Sequence, residues 1–345
     1  MQAAVIPRHG SSEQVEVVDV PRPELFPGGV RLRLHAAALN HLDLFVIGGI
    51  PGLNLSMPHV LGADGAGVVV EVGESVEVEE GVEAGAGVDR VAVGDEVVLD
   101  PGLGAPDEEG YALLGEMVPG TFAEEIVVPA ANCFAKPERL SWTEAAAFPL
   151  VTLTAWRMLV SKARLRADEW VLIHGIGGGV SLAALQIAGY LGARAVVTSH
   201  SEAKRNRALE LGAAHAIDYV TDDIVAATRE VTGGRGVDVV VDNVGEATFA
   251  ASIRACRKGG RIVTCGATTG PRVPVDVRRV FWNQLSIFGS TMGSSEEFRD
   301  MLAVVAAGNI VPVVDKVFPL TEARAALERL EKAEQFGKIV IDIAG

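Results

Sequence analysis

Three kinds of feature are scarce or missing in this 345-residue chain. The first is cysteine: Cys133, Cys256 and Cys265 are the whole complement. None stands in a CxxC pair, and three cannot build a disulfide framework, so each is expected as a small buried hydrophobe. The second is positive charge. Lys and Arg total 30 against 45 Asp and Glu, a net charge of −15. Such a surface repels phosphate backbones and anionic lipid, which argues against nucleic acid and membrane as partners. The third is a long apolar run. No uninterrupted stretch approaches the ~18 residues of a membrane span. "MQAAVIPRHG" also lacks the charged-then-apolar order of a secretory leader. A cytoplasmic protein of enzyme size is the expectation.

What is present divides at about residue 150. The length exceeds what one hydrophobic core serves, so two domains are expected. Before the division the chain is β-rich: "GVRLRLHAAAL", "GAGVVVEVG", "DEVVLD" and "FAEEIVVP" are short β-branched runs cut by Gly and Pro. Residues 74–93 are acidic and small, and read as a solvent-exposed hairpin extension or mobile loop. Residues 100–120, "DPGLGAPDEEGYALLGEMVPG", read as a second loop. After residue 150, "EWVLIHG", "RAVVTS", "HAIDY", "VDVVVDNVG", "GRIVTCGA" and "LSIFGST" alternate with helical spacings. Six strands with intervening helices imply an α/β fold built on a doubly wound parallel sheet. The tail breaks this rhythm and is expected to return to the first domain.

A dinucleotide site is readable at the first strand-to-helix turn of this region. Pyrophosphate binding there needs backbone without obstructing Cβ atoms and a helix N-terminus with free N–H groups. Gly175, Gly177, Gly178 and Gly179, followed by Val180 and Ser181, meet that need. Ser181 takes the last position of the fingerprint, where Gly usually lets helix and strand pack closely. The second strand ends in "VVTSHS", without the carboxylate that would bind the adenosine ribose and repel a 2′-phosphate. Ser199 cannot repel it, and Lys204 and Arg205 offer countercharge. NADPH is therefore expected in preference to NADH.

The residues also resemble a known family over nearly the full length. "AAALNHLDLFVIGG", "PHVLGADGAGVVVEVG", "LLGEMVPGTFAEEIVVP", "GGGVSLAALQIAGYLGA", "DVVVDNVG", "GSTMGS" and "FGKIVI" are similar in order and spacing to medium-chain dehydrogenases/reductases. The likeness is to the zinc-type alcohol dehydrogenase and quinone oxidoreductase side. It implies a GroES-like β-rich catalytic domain over 1–150 and a Rossmann NADP-binding domain over 151–293. Residues 294–345 would return to the catalytic domain, and the protein would form a homodimer or homotetramer. It further implies cofactor roles for His41, Ser199, Lys204 and Tyr219, the last beside the 2′-phosphate. Asn243, Val244, Gly266, Ala267 and Thr268 would line adenosine, ribose and nicotinamide. Ser290, Thr291 and Met292 would hold the carboxamide, and Lys338 would reach the cofactor from the tail.

The departures from the family decide the expected chemistry. Zinc-bearing members hold the catalytic metal with Cys, His and Cys or Asp, and the matching positions are Asn40, Ala63 and Leu150. Asp64 stands where an acid supports those ligands, and Leu42 replaces the hydroxyl that relays the alcohol proton. The lobe that usually carries four cysteines has none between 101 and 120. No bound metal is expected. Without a Lewis acid an unactivated alkoxide goes unstabilised. A quinone or another conjugated carbonyl spreads the incoming charge over its own oxygen, and the protein then has mainly to position and shield the reactants. Asn40, Asp43 and Thr154 are the candidate catalytic residues. Asp43 also reads as a structural acceptor, and Asn40 as a donor to nicotinamide or acceptor. Phe45, Val46, Ile50, Leu53 and Leu55 suggest an apolar wall for a small hydrophobic carbonyl or quinone, or core packing for about half of them. Two other readings stay open: a zinc-type alcohol dehydrogenase recruiting metal through other residues, and an NADPH-binding protein without turnover.

Overall fold

Val237–Val241 is buried at every position, as a parallel strand covered on both faces must be. It lies in a six-stranded parallel sheet with Trp170–Ile173, Arg194–Thr198, His215–Ile217, Cys256–Thr264 and Ser286–Gly289. The first strand in sequence is central. Arg194–Thr198 and then His215–Ile217 lie on one side of it, and Val237–Val241, Cys256–Thr264 and Ser286–Gly289 follow on the other. The strand order thus reverses beside Trp170–Ile173, the switch point at which open α/β sheets bind ligands. Leu172, Val196, Ile217, Val240 and Ile262 share one core with Phe249 and Ile253.

The computed structural model describes residues 1–74 and 91–345, so most of the acidic 74–93 segment lies outside the described residues. Two compact units result. One comprises Met1–Leu150, Ser294–Ala306 and Pro312–Gly345, the other Val151–Gly293 and Ala307–Val311.

Among the described residues, the first unit is built on a mixed seven-stranded sheet. Its longest strand, Gly29–Ala38, buries Val30, Leu32 and Leu34 in alternation, the period-2 pattern of a strand with one core face. Arg31 is buried between them but pairs with Glu71 at 2.8 Å and donates to the Pro23 carbonyl. Asp64–Val72 pairs with one edge of Gly29–Ala38, and Glu125–Pro129 also pairs with it. The final strand, Lys338–Asp342, runs antiparallel to Gly29–Ala38, with Val340 opposite Ala38. That register carries Lys338 to the end of the sheet at which residue 40 leaves the strand. The 100–120 segment departs from the loop reading: Gly102–Leu103 and Ala112–Leu113 form a short antiparallel pair. Two-residue strands are too short for alternation to register in a sequence.

Burial pushes all three cysteine thiols up to about 12. They stand as neutral, apolar groups.

Candidate functional site

In the second unit, the loop after Trp170–Ile173 turns directly into the helix Gly179–Tyr190. Gly175 and Gly177 take φ of +65° and +122°, a region that side-chain-bearing residues avoid. Gly178 caps the helix with no side-chain acceptor, so the first-turn amides of Gly179 and Val180 have no capping partner. Ser181 is buried, and its hydroxyl lies 2.9 Å from both the Gly175 and the Gly178 carbonyl. Its role is thus more than small size, since it fastens the turn to the helix. Thr198 holds the other side, accepting from Gly175 N at Oγ1 and from Ile176 N at its carbonyl.

The remaining cofactor candidates follow the carboxyl ends of the same sheet. Ser199 follows one strand and Asn243 with Val244 another. Gly266 to Thr268 and Ser290 to Met292 follow two more. The Asn243 and Val244 carbonyls accept from the Thr268 and Thr269 amides, which ties two of these loops together. Thr154 Oγ1 donates to Met292 Sδ at 3.4 Å. Met292 is held at φ +44°. Among the described residues, the buried Asn243 Oδ1 and Ser290 Oγ have no hydrogen-bond partner. Buried polar atoms are rarely left so in the absence of a ligand or water.

At the end of Arg194–Thr198 the charges differ from expectation. Arg205, read as countercharge, pairs with Asp218 at 2.9 Å and donates to the Ser199 carbonyl at 2.8 Å. An acid therefore does stand here, one strand further along than the sequence pattern places it. Tyr219 is exposed, and its hydroxyl lies 2.6 Å from His200 Nδ1. His200 and Asp218 were not among the candidates. Their signal was the "HS" and "DY" at the ends of two neighbouring parallel strands.

In the first unit the candidates form one buried network. Asp64 is fully buried, and its Oδ1 accepts from Leu150 N at 2.7 Å. Its Oδ2 accepts from Asn40 Nδ2 and from Lys338 Nζ, both at 2.9 Å. Lys338 also donates to Asn40 Oδ1 at 2.5 Å. Asn40 caps the helix His41–Gly48, and Asp43 completes the box. The Asp43 carboxylate accepts from Asn40 N at 2.7 Å and Gly62 N at 3.1 Å. Burial pushes it up to about 7 against the opposing pull of those bonds and the Lys338 charge. Burial, then Lys338, holds His41 below the usual imidazole range, which disfavours the cationic form a pyrophosphate contact would use.

Two family models match the chain: "Alcohol dehydrogenase GroES-like domain" over 26–138 and "Zinc-binding dehydrogenase" over 179–307. A zinc-type alcohol dehydrogenase-like protein of Schizosaccharomyces pombe is 36% identical over 343 residues, covering 95% of this chain and 94% of the relative. The chain belongs to the medium-chain dehydrogenase/reductase superfamily. Within it, a crystal structure of an NAD-dependent alcohol dehydrogenase is 43% identical, with a TM-score of 0.92 and full coverage of both chains. A crotonyl-CoA carboxylase/reductase in complex with NADP is 26% identical, with a TM-score of 0.88, covering 99% of this chain and 94% of that one. The GroES-like domain and the Rossmann-like parallel sheet are thus family features, and the protein is an oxidoreductase of the alcohol dehydrogenase-like and reductase type.

In this dehydrogenase/reductase, positions 40, 63 and 150 do converge. Asp64 bonds the residue-40 side chain and the residue-150 amide, with Ala63 beside it. The donors there do not suit zinc. Asn40 has its oxygen on Lys338 and its amide on Asp64, while Ala63 and Leu150 bring hydrocarbon. Among the described residues, no group of three or more His, Cys, Asp or Glu side chains is placed to hold a metal ion. The dinucleotide does suit the second unit, given the uncapped glycine turn and the orphaned Asn243 and Ser290 atoms.

Three settings bear on the candidates of the first unit. The side-chain amide nitrogen of Asn40 donates to Asp64 and to the Ala38 carbonyl. Lys338 is bonded to Asn40 and Asp64. Val46 belongs to the core, with Ile50 and Leu55 packed against it. Of the proposed apolar wall, Phe45 is exposed.

Proposed function

We propose that this protein is a zinc-independent, NADPH-dependent oxidoreductase that transfers hydride to quinones or other conjugated carbonyls. The observation carrying the proposal is the Asn40–Asp64–Lys338 network beside positions 40, 63 and 150, whose polar groups are engaged with one another and whose other side chains are hydrocarbon. An oxidised alcohol would need a Lewis acid there, whereas a conjugated acceptor needs less help.

NADPH, when bound, supplies the hydride. The glycine turn and helix Gly179–Tyr190 take the pyrophosphate. Ser199, Lys204 and Tyr219 receive the adenosine end. Asn243, Val244 and Gly266 to Thr268 line the ribose and nicotinamide, and Ser290 to Met292 with Thr154 orient the carboxamide. His41 contributes a neutral contact. Asp43 holds the helix start and the Gly62 amide, and so positions the network without transferring a proton. NADP-bound crotonyl-CoA carboxylase/reductase, a relative, supports both the cofactor and a conjugated acyl acceptor.

A specific observation favours a second reading for the cofactor. Asp218 neutralises Arg205, and the 43% identical structure is that of an NAD-dependent enzyme. Fluorescence titration with NADPH and NADH separates the two. Tighter NADPH binding upholds the first reading, and equal or tighter NADH binding replaces it. Oxidation of NADPH by naphthoquinone, phenanthrenequinone or an enone is the expected activity. Tight binding without oxidation of any acceptor would instead make this a binding protein.

The exposed Val277, Phe281 and Trp282, the last at 76% exposure, lie on the helix that precedes the edge strand Ser286–Gly289 in sequence. Apolar groups next to an open strand edge support a homodimer or homotetramer. No helix of the described residues is long and apolar enough to cross a membrane. Together with the net negative charge, this supports a cytoplasmic protein whose partners are small hydrophobic carbonyls, with neither nucleic acid nor membrane among them.

A further inference from the structure

The carboxylate missing from the end of Arg194–Thr198 has a counterpart on the next strand. Arg194–Thr198 and His215–Ile217 run parallel, with Thr198 opposite Ile217. Ser199 and Asp218 therefore leave adjacent strand ends, and Ser199 N donates to the Ile217 carbonyl at 3.0 Å. Arg205 joins the two. Its Nη1 donates to the Ser199 carbonyl at 2.8 Å and stands 2.9 Å from Asp218 Oδ2. The side chains of Arg205 and Asp218 are 17% and 20% exposed, so the pair reaches the surface yet is shielded from most of the solvent.

The end of the second strand is where a dinucleotide's adenosine ribose is recognised, by an acid for a free 2′-hydroxyl or by a cation for a 2′-phosphate. Here both signs stand within one ion pair. Asp218 is also fixed in place. Its Oδ1 accepts from Val220 N at 3.0 Å, and its own N–H donates to Asp222 Oδ2 at 3.2 Å. Beside it, the Tyr219 hydroxyl lies 2.6 Å from His200 Nδ1. We propose that Asp218 is the specificity-determining residue of the adenosine end. By cancelling Arg205, it holds the discrimination in favour of a 2′-phosphorylated dinucleotide below what the basic residues alone would give.

This rests on the reading of the second unit as a dinucleotide site and deepens it. A phosphomonoester carries a charge of about −1.5 to −2 at neutral pH. At the Ser199 end it meets guanidinium and carboxylate together, and their fields largely oppose each other beyond a few ångströms. The preference for NADPH is then left to Lys204, Ser199 and Tyr219. An unphosphorylated ribose carries no charge, so the same pair leaves NADH binding nearly untouched. Asp218 thus does through its charge, from the third strand, what an acid at the end of the second strand does directly.

The test is a charge cycle at one pH and low salt: wild type, Asp218→Asn, Arg205→Met and the double variant, which leaves no unpaired charge if a single variant fails to fold. Fluorescence titration gives the NADPH and NADH affinities of each protein. Removing the carboxylate should tighten NADPH ~10-fold, and removing the guanidinium should weaken it ~10-fold. NADH should move by less than ~3-fold in both. The double variant should return NADPH to within ~3-fold of wild type, a recovery that a merely structural pair would not show. Asp222→Asn, which removes an exposed acid nearby, should move NADPH by less than ~3-fold. Unchanged NADPH affinity in Asp218→Asn or in Arg205→Met overturns the proposal. So do equal shifts of NADPH and NADH, or a gain in Asp222→Asn as large as that in Asp218→Asn. Wild-type protein that binds neither dinucleotide overturns both the proposal and the reading beneath it. Wild type that prefers NADH, with the charge cycle intact, overturns the NADPH preference alone and leaves Asp218 as the residue that sets it.

Discussion

At the carboxyl ends of the parallel sheet, Asn243 Oδ1 and Ser290 Oγ are buried without protein partners. In the other unit, Asn40, Asp64 and Lys338 satisfy one another. The first arrangement is incomplete without a ligand, and the second is complete without a metal. An incomplete set can be altered with little loss of stability and a large change in binding. A completed set behaves the other way, because each member keeps the next from standing buried and unpaired.

Asp64→Ala should break this comparison most strongly. It strands the Lys338 charge, the Asn40 amide and the Leu150 N–H. Breaking a buried pair on one side costs ~3–5 kcal/mol, read as a large fall in the urea midpoint. Ser199→Asp, in the incomplete region, should leave that midpoint within ~0.5 kcal/mol. It should instead shift preference from NADPH toward NADH by ~10²-fold, roughly 2–3 kcal/mol of differential binding. Competitive fluorescence titration checks this, and a change below ~3-fold contradicts the reading of the second strand's end.

The two units also differ in their response to pH. Burial pushes Asp100 up to about 6 and Asp43 up to about 7. Asp100 accepts from Gly102 N and Ser295 Oγ, bonds that only partly oppose the burial. Both carboxyls bind protons more tightly folded than unfolded. Their contribution to stability is therefore full below pH ~4 and is lost as pH rises through their folded values. Asp238 in the second unit has the opposite sign. Burial would raise it, but the Arg235 and Arg257 guanidiniums prevail and hold it at about 2. Its contribution is present above pH ~4 and is lost as pH falls toward 2. Asp100→Asn should flatten the fall in stability between pH ~4 and ~6, by on the order of 1–3 kcal/mol. Denaturant titrations across that range test it.

The smallest expected effect is that of Tyr219→Phe. It removes only the hydroxyl bonded to His200, about 1 kcal/mol, or a few-fold in NADPH affinity. Unchanged affinity would remove Tyr219 from the adenosine end.

The parallel strands and glycine turn were legible because their signals are local. Val237–Val241 is β-branched at four of its five positions, and the turn glycines are contiguous with the helix they start. The charge pairings were not legible, because they join residues that are distant in sequence or lie on neighbouring strands. Lys338 and Asn40 stand 298 positions apart. The pairing depends on the final strand lying antiparallel to Gly29–Ala38 in one register. The register places Lys338 beside Asp64, a neighbour that its position in the tail did not announce. Arg205 likewise counted as a phosphate partner until the third strand brought Asp218 beside it. Asp43 was readable both ways, and the Gly62 amide it holds, 19 residues on, gives it the structural role.

The central claim is that hydride transfer here proceeds without a metal at the Asn40–Asp64–Lys338 position. The most direct test is elemental analysis of the purified protein, paired with NADPH oxidation by a quinone before and after exhaustive chelation. The account predicts zinc well below one equivalent and the same rate before and after. Zinc near one equivalent, with activity lost on chelation and restored by added zinc, would contradict it.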